Sequence, residues 1–233
     1  AIFGDLGSSR MINTLEGYSL ALKLWTEKGL SYRDFQNRAN TLKRRIFGEM
    51  DDVGLTVDEY RLIKAVMSRD IQVVQSLINP ENAKMVDTTG SNLLYLSAEQ
   101  GDLTTLAYLL EPQFGLAVNA TNPLGETPLH IAAMLGYQDI MDHLCLVGAN
   151  LDQQDRRGRT PIMRAGLGGQ LSVVDALMSS ALDLTIQDYD GNNLLHHLVS
   201  QSLPKRTLAL VLSKVSLECL NVQNRLGETP LFK

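Results

Sequence analysis

Four histidines and two cysteines are the residues of this 233-residue chain whose chemistry could support catalysis or metal binding. His143 and Cys145 stand two residues apart in a segment with helical periodicity, so they do not face each other as a nucleophile pair must. His196 and His197 are adjacent and point to different faces, which disfavours chelation of one metal ion. These residues therefore predict neither a catalytic site nor a metal site.

The spacing of cysteine and glycine argues against two further kinds of site. Cys145 and Cys219 lack the CxxC spacing of zinc sites, and they do not form a disulfide framework. No glycine-rich segment matches the GxGxxG or GxxxxGK patterns that cradle phosphate groups. We expect no cofactor and no small-molecule substrate, and we interpret Cys145 as a small hydrophobic residue of a helix.

The elements that must position these residues follow a six-residue signature, Asp/Asn-x-x-Gly-x-Thr/Asn. It occupies residues 51–56, 87–92, 122–127, 155–160, 188–193 and 224–229. Successive signature glycines are 33 to 36 residues apart, and a period this regular indicates repeated supersecondary units stacked in a row. We number the units 1 to 6 in chain order and call the turn built on each signature a tip.

Each position of the signature has a physical reason. Asp or Asn opens a tight turn through its side chain, and Gly supplies the positive φ that such a turn needs. The Thr or Asn at the end is a helix N-cap, and a proline at the first helical position costs no hydrogen bond. Leu93 and Leu194 replace that proline in units 2 and 5, where we expect the cap to survive. Each unit is thus predicted to run turn, cap, helix.

Three signatures continue as Thr-Pro-Leu-His or a close variant of it, beginning at Thr127, Thr160 and Thr229. Together with the period, this pattern resembles the ankyrin repeat family. The resemblance covers residues 51–233 and implies an all-α solenoid of stacked helix-turn-helix units with hairpin loops. Its repeats start at residues 51, 87, 122, 155 and 188, with a partial sixth from residue 224.

The resemblance also implies roles for individual residues. His130 and His196 occupy the histidine position of the motif, where the imidazole is a structural hydrogen-bond partner for neighbouring turns. Asn119 and Asn221 stand in the turn where the family is sometimes hydroxylated on asparagine. The simpler interpretation is a turn asparagine that accepts hydrogen bonds, and modification stays open.

Two segments depart from the repeat. Residues 1–50 carry apolar residues at helical spacing, and we expect two capping α-helices there, or the tail of a preceding domain. In unit 5, residues 200–204 replace the usual glycine between the helices, and Pro204 restarts a helix. We expect a local bulge at this point.

Composition limits the classes of partner. A net charge of −5 argues against nucleic acid, and no apolar run approaches the ~20 residues that a membrane span requires. The start shows no basic-then-apolar signal segment, so we expect a reducing, cytoplasmic location, or the host cytosol for a bacterial effector. The chain lacks an initiator Met and stops within a repeat, from which we expect a fragment of a longer protein.

Stacked helix pairs leave a long surface of tips and first helices, and such surfaces bind other macromolecules. The family resemblance implies that the bound macromolecule is a protein. We predict that the partner contacts Leu124, Glu126, Met134, Leu135, Arg156, Arg157, Arg159, Leu167, Tyr189, Asp190 and Asn192.

The chemistry of tip 4 indicates the kind of partner. Arg156, Arg157 and Arg159 crowd this tip, with Leu124 and Tyr189 on the tips either side. Because Arg and Tyr are enriched in interface hot spots, we expect an acidic or phosphorylated protein segment with an apolar anchor. The simpler alternative is a solvated turn, since tips in this family are often charged.

Three functions fit these observations. The leading hypothesis is a protein–protein interaction module with no enzyme activity in this segment. The alternative is a substrate- or host-targeting arm of a larger multidomain enzyme or secreted bacterial effector, with catalysis elsewhere, and the third is a structural spacer or an inhibitor. For stability, we expect Gly136→Val in an interhelix turn to cost several times more than Glu126→Ala at a tip.

Overall fold

The computed structural model describes residues 57–180, 182–199 and 205–230. These residues contain eleven α-helices, two short 3-10 helices and one isolated bridge between Val86 and Asn92, but no β-strand. The helices are α1 (Val57–Met67), α2 (Ile71–Leu77), α3 (Leu93–Gln100), α4 (Leu103–Leu109), α5 (Pro128–Leu135), α6 (Gln138–Leu146), α7 (Pro161–Leu167), α8 (Leu171–Leu177), α9 (Leu194–Val199), α10 (Lys205–Lys214) and α11 (Leu217–Asn221). The predicted all-α class is confirmed.

Three predictions fall on residues that the structure does not describe. They are the two capping helices in residues 1–50, the first tip at residues 51–56 and the bulge at residues 200–204. These stay predictions.

The helices stack in two rows. The first helices of successive units, α3, α5, α7 and α9, pack each against the next. The second helices pack in the same sense, α2 with α4, α4 with α6, and α8 with α10. This arrangement is the solenoid of helix-turn-helix units that the repeated signature predicts.

Small and branched side chains let the rows pack closely. Ala132 and Ala133 are fully buried in α5, where their small size allows the neighbouring helices to approach. Ile140 and Leu144 lie four residues apart on one face of α6 and are also fully buried. Burying each such Ile or Leu stabilises the fold by roughly 1.5–3 kcal/mol.

The turn between α5 and α6 depends on Gly136, which has φ +82° and donates its N–H to the carbonyl of Ala132. A Cβ at this position would collide with the side chain of Gln170 from unit 4. The predicted role of Gly136 is therefore confirmed. At the corresponding place in unit 1, Arg69 has φ +58° and is the one non-glycine residue with positive φ among those described.

Unit 5 contains a helix that the sequence pattern did not predict. Helix α10 begins directly after Pro204, as expected. A further helix, α11, follows it, and the hydroxyl of Ser216 caps this helix by accepting the backbone N–H of Cys219 at 3.4 Å. Helix α11 has five residues, which is too short to show helical periodicity in the sequence.

Candidate functional site

Each described tip is a turn closed by the side chain that opens its signature. In tip 4, Oδ1 of Asp155 accepts hydrogen bonds from the backbone N–H groups of Arg157 (2.8 Å) and Arg159 (2.9 Å). The N–H of Gly158 donates to the carbonyl of Asp155 at 2.8 Å, and Gly158 has φ +76°. The same bonds recur in tips 2, 3, 5 and 6. The predicted turn chemistry is confirmed in these five tips.

Backbone hydrogen bonds also join neighbouring tips. Three of them run from an N–H to a carbonyl of the preceding tip, Arg156 to Leu124 (2.9 Å), Tyr189 to Arg157 (2.9 Å) and Arg225 to Asp190 (2.8 Å). We call these three bonds the tip ladder. The ladder connects the backbones of tips 3 to 6 into one continuous surface. No equivalent bond joins tip 3 to tip 2, because residue 123 is a proline and carries no backbone N–H.

The exposed residues of tips 3 to 6 form two rows along this ladder. Row one contains the first residue after each opening Asp or Asn, namely Pro123, Arg156, Tyr189 and Arg225. Row two contains the next residue, namely Leu124, Arg157, Asp190 and Leu226. All eight side chains are exposed, and the large apolar ones stand out, with Leu124 62%, Tyr189 58% and Leu226 81% exposed.

Three row-one side chains, those of Pro123, Arg156 and Tyr189, lie over the glycine of the preceding tip. The Cγ of Arg156 lies 3.2 Å from where a Cβ on Gly125 would be. The ring of Tyr189 lies over Gly158 in the same way, with Cδ1 2.7 Å from the Cβ position. Gly125 and Gly158 therefore provide both the positive φ of their turns and the space for a side chain from the next tip.

The structure corrects the prediction that Arg159 is a free tip residue. Its Nη2 and Nε lie 2.7 Å and 2.9 Å from Oδ2 of Asp155. Burial raises the pKa of Asp155, but hydrogen bonds from the Arg159 side chain and from two backbone N–H groups outweigh it, and the pKa falls below its ordinary value. Arg159 thus neutralises a buried carboxylate, and the exposed cations of tip 4 are Arg156 and Arg157.

The expectation that Glu126 is exposed at a tip is wrong, because Glu126 is 4% exposed. Its Oε1 lies 2.6 Å from Nη2 of Arg164 in α7. Its Oε2 accepts hydrogen bonds from the hydroxyl of Tyr95 in α3 (3.0 Å) and from Nδ2 of Asn122 (3.1 Å). Burial, together with the negative charge of Glu126, raises the pKa of Tyr95. This cluster ties units 2, 3 and 4 together.

Asn192 is likewise buried rather than exposed. Its Nδ2 donates to Oδ2 of Asp188 at 3.3 Å, and its Oδ1 accepts from Nδ2 of Asn224 at 3.1 Å. The same Oδ2 of Asp188 lies 2.9 Å from Nε2 of His197. Asn192 therefore links tips 5 and 6 from inside and does not form part of the accessible surface.

Three predicted residues lie on the first helices. Leu135 is 37% exposed and Leu167 is 41% exposed, and Met134 is half-buried. Met134 and Leu167 hold the same position in α5 and α7, which pack side by side. Glu99 holds that position in α3, where burial and the negative charges of Asp87 and Glu126 raise its pKa.

The histidines of the repeated motif bond to neighbouring turns, as the resemblance implied. The backbone N–H of Thr127 donates to Nδ1 of His130 at 3.1 Å, so the ring proton is placed on Nε2. Nε2 then donates to the carbonyl of Arg159 in the next tip at 3.0 Å. His196 makes the equivalent bond to the carbonyl of Glu228 at 3.1 Å.

The remaining candidate residues hold structural positions. Cys145 is half-buried, and burial raises the pKa of its thiol, with a further contribution from Asp142. Asn119 Oδ1 accepts the backbone N–H of Asn150 at 2.8 Å, whereas Asn221 is the last residue of α11. Among the described residues, no three His, Cys, Asp or Glu side chains are grouped closely enough to hold a metal ion.

Two residues important to this surface were absent from the predicted set. Arg225 and Leu226 extend both rows to tip 6; the sixth signature places them at a tip, but they were not included among the predicted partner contacts. Arg164 pairs with Glu126 from a position that holds Leu96 and Ile131 in the preceding units. The sequence signal for Arg164 was a charged residue at a position that is apolar in the two preceding units.

None of the helices in the described ranges has the length and apolar character needed to cross a membrane.

Comparison with known proteins identifies the repeat. The family described as "Ankyrin repeats (3 copies)" matches residues 62–155. Human "Transient receptor potential cation channel subfamily A member 1" is 34% identical over 84 residues, which are 36% of this chain and 8% of that protein. Human "Rabankyrin-5" is 31% identical over 145 residues, 55% of this chain and 12% of that protein.

A third relative is aligned over more of its own length. Mouse "B-cell lymphoma 3 protein homolog" is 28% identical over 157 residues, 64% of this chain and 34% of that protein. The matched segments span 8%, 12% and 34% of the lengths of these three relatives. Ankyrin repeats are a non-catalytic domain that generally mediates protein–protein interaction. The chain contains a segment of the ankyrin repeat family, folded as an all-α solenoid.

Proposed function

We propose that this array binds a partner protein through the exposed rows of tips 3 to 6 and the adjoining first helices. The general role of ankyrin repeats in protein interaction supports the proposal. The first-helix contribution comes from Met134, Leu135 and Leu167, two of which expose more than a third of their surface. The partner-binding residues are then Leu124, Met134, Leu135, Arg156, Arg157, Leu167, Tyr189 and Asp190, without the buried Glu126 and Asn192 and without Arg159, which pairs with Asp155.

The tip ladder is the observation that carries the proposal. Its bonds hold Leu124, Arg156 and Tyr189 on a backbone already ordered before binding. Association loses less conformational entropy when the binding groups are ordered in advance. Exposed apolar side chains on a rigid frame are therefore available to a partner at low cost.

The partner we propose is an acidic or phosphorylated protein segment with an apolar anchor. Arg156, Arg157 and Arg225 are exposed, and the described residues show no ion pair for any of them. Arginine forms charge-assisted hydrogen bonds with carboxylate and phosphate groups. Leu124 and Tyr189 offer apolar contacts beside these cations.

The cellular compartment and any activity outside this segment are two further proposals. Neither Cys145 nor Cys219 forms a disulfide, which supports a reducing, cytoplasmic environment. This chain matches only a small part of each relative. An enzyme activity in another part of a longer protein is therefore a separate proposal. No described residue favours a targeting arm of an enzyme or effector over a simple interaction module.

Affinity purification with charge-reversed variants tests the proposal. Arg156→Glu with Arg157→Glu is compared with Lys84→Glu with Lys214→Glu, which reverses the same number of exposed charges away from the tips. Arg159 stays unchanged because it neutralises Asp155. We expect the tip variant to lose its partners and the control to keep them. Retention of every partner by a folded tip variant would refute the role of the tips.

A further inference from the structure

We propose that row one binds an extended peptide segment carrying two acidic side chains six residues apart, with an apolar residue two or four positions after the first acid on the same face of the chain, a spacing that follows from helix packing and strand rise. The acids face Arg156 and Arg225, and the apolar residue faces Tyr189. This inference rests on the proposed function and specifies the register of the partner on the same surface.

Charge distribution assigns the acids to row one. Along row one, Arg156, Tyr189 and Arg225 present two cations and no anion. Row two places Arg157 and Asp190 on successive tips, so its charges are opposed. The other arginines of this region, Arg159 and Arg164, are neutralised inside the fold by acidic partners.

The positions of the row-one residues are well defined. The N–H groups of Arg156, Tyr189 and Arg225 are all rungs of the tip ladder, so their Cα atoms cannot move independently. The stem of Arg156 rests on Gly125, and the ring of Tyr189 rests on Gly158. A ligand that matches this row therefore needs a matching spacing of its own groups.

The distance between repeat units determines how far apart the matching residues of a bound peptide must be. Packed helices lie about 8–10 Å apart, so Arg156 and Arg225, two units apart, are separated by roughly 16–20 Å. An extended chain rises about 3.3 Å per residue, so this distance spans about five or six residues, and only the even separation of six keeps both acids on one face of the chain. An α-helix rises about 1.5 Å per residue and would need roughly 11–13 residues to span the same distance.

The test is a titration of the whole 233-residue chain with fluorescent peptides. Three peptides carry two Glu residues separated by four, six or eight positions, with a Leu two positions after the first Glu and otherwise Gly and Ser, so that all three side chains lie on one face of an extended chain. We expect the six-residue spacing to bind about tenfold tighter than either other spacing, since only that spacing lets both Glu residues form charge-assisted hydrogen bonds with arginine. Binding should weaken as salt increases.

Charge reversal locates the two acids. Arg156→Glu and Arg225→Glu should each weaken the six-spaced peptide about tenfold, and replacing one peptide Glu by Lys should restore the loss. Lys84→Glu is the matched control, an exposed cation outside tips 3 to 6, and should change affinity less than threefold. Circular dichroism confirms that each variant is folded.

The outcomes separate this inference from the proposed function. Equal affinity for all three spacings would overturn the register and leave acidic recognition at the tips intact. Failure of every acidic peptide to bind would overturn the acidic partner itself. Tighter binding of a stapled helical peptide would contradict the extended form, and tighter binding of a single-stranded oligonucleotide would contradict a protein partner.

Discussion

Arg164 of helix α7 and Glu126 of tip 3 form an ion pair at 2.6 Å across the junction between units 3 and 4. Their side chains are 12% and 5% exposed, so neither charge is well solvated. The pair continues to Tyr95 in unit 2 through the second carboxylate oxygen. Burial lowers the pKa of Arg164, but the charge of Glu126 opposes that effect. Each charge is thus tolerated in the fold because of its partner.

Removing one member of this pair should cost far more than an ordinary surface change. Glu126→Ala leaves the Arg164 guanidinium buried without its carboxylate, and we expect the free energy of unfolding to fall by about 3 kcal/mol or more. Urea denaturation measures this value. Asp190→Ala, an exposed acid on tip 5, is the control and should change stability by less than about 0.5 kcal/mol. A similarly small effect for Glu126→Ala would show that the pair contributes little.

Replacing both members with apolar residues should restore most of the loss. The double variant Glu126→Leu with Arg164→Met removes both charges, so no uncompensated ion stays buried. We expect its stability to lie within about 1 kcal/mol of the parent chain, by the same denaturation measurement. Additive losses from the two single changes would contradict a coupled pair.

Gly136→Val should also be strongly destabilising. A left-handed backbone costs an L-residue roughly 1–2 kcal/mol, and a β-branched residue more. The new side chain would also have to displace Gln170. We expect a loss of about 3 kcal/mol, comparable to that of Glu126→Ala and not several times larger as the sequence alone indicated. Gly136→Ala should lose less than Gly136→Val, and equal losses would contradict this strain.

Arg69 offers a stabilising change in unit 1. It has φ +58° and an exposed side chain, so it bears backbone strain without contributing to the core. We expect Arg69→Gly to raise the free energy of unfolding by up to about 1 kcal/mol and Arg69→Val to lower it by a similar amount. Thermal melting of both variants would show opposite shifts in Tm, and shifts of the same sign would contradict the assigned strain.

Stability should depend on pH through His130. Burial lowers the pKa of this imidazole below its ordinary value, so the folded ring resists protonation. The unfolded chain takes up a proton near pH 6.5, and the free energy of unfolding therefore falls as pH drops below about 6.5 towards the folded pKa. His130 contributes at most about 1.4 kcal/mol per pH unit to the slope of the free energy of unfolding against pH, and this contribution should be absent from the His130→Gln variant. Equal slopes for both chains between pH 7 and 5 would contradict it.

The parts of the fold that the sequence predicted correctly depend on local chemistry. Asn122, Gly125 and Thr127 act within a few residues of one another, so their spacing alone specified a turn followed by a helix. The helix of tip 3, with Pro128 at its first position, begins where the signature places it for the same reason. Helix α11 was missed because only five helical residues follow its Ser216 cap, too few to show a periodic pattern of apolar residues.

The errors in the candidate site came from side-chain pairings that the repeat pattern does not show. Glu126 looks like a tip residue by its position in the signature, and its burial depends on Arg164 from the next unit. Arg159 appeared to extend a cluster of free cations, but it bends back to Asp155 in its own tip. One-dimensional spacing identifies which residues belong to a tip, and only the packed array decides which of them face solvent.

Photo-crosslinking from two exposed leucines tests the proposed binding surface most directly. Leu124 on tip 3 is 62% exposed, and Leu146 at the end of the second helix α6 is 85% exposed. Each is replaced in turn by p-benzoylphenylalanine in the whole chain, which is irradiated with its purified partner. Crosslinking from position 124 and none from position 146 is the predicted result. Crosslinking from position 146 alone would contradict recognition through the tips.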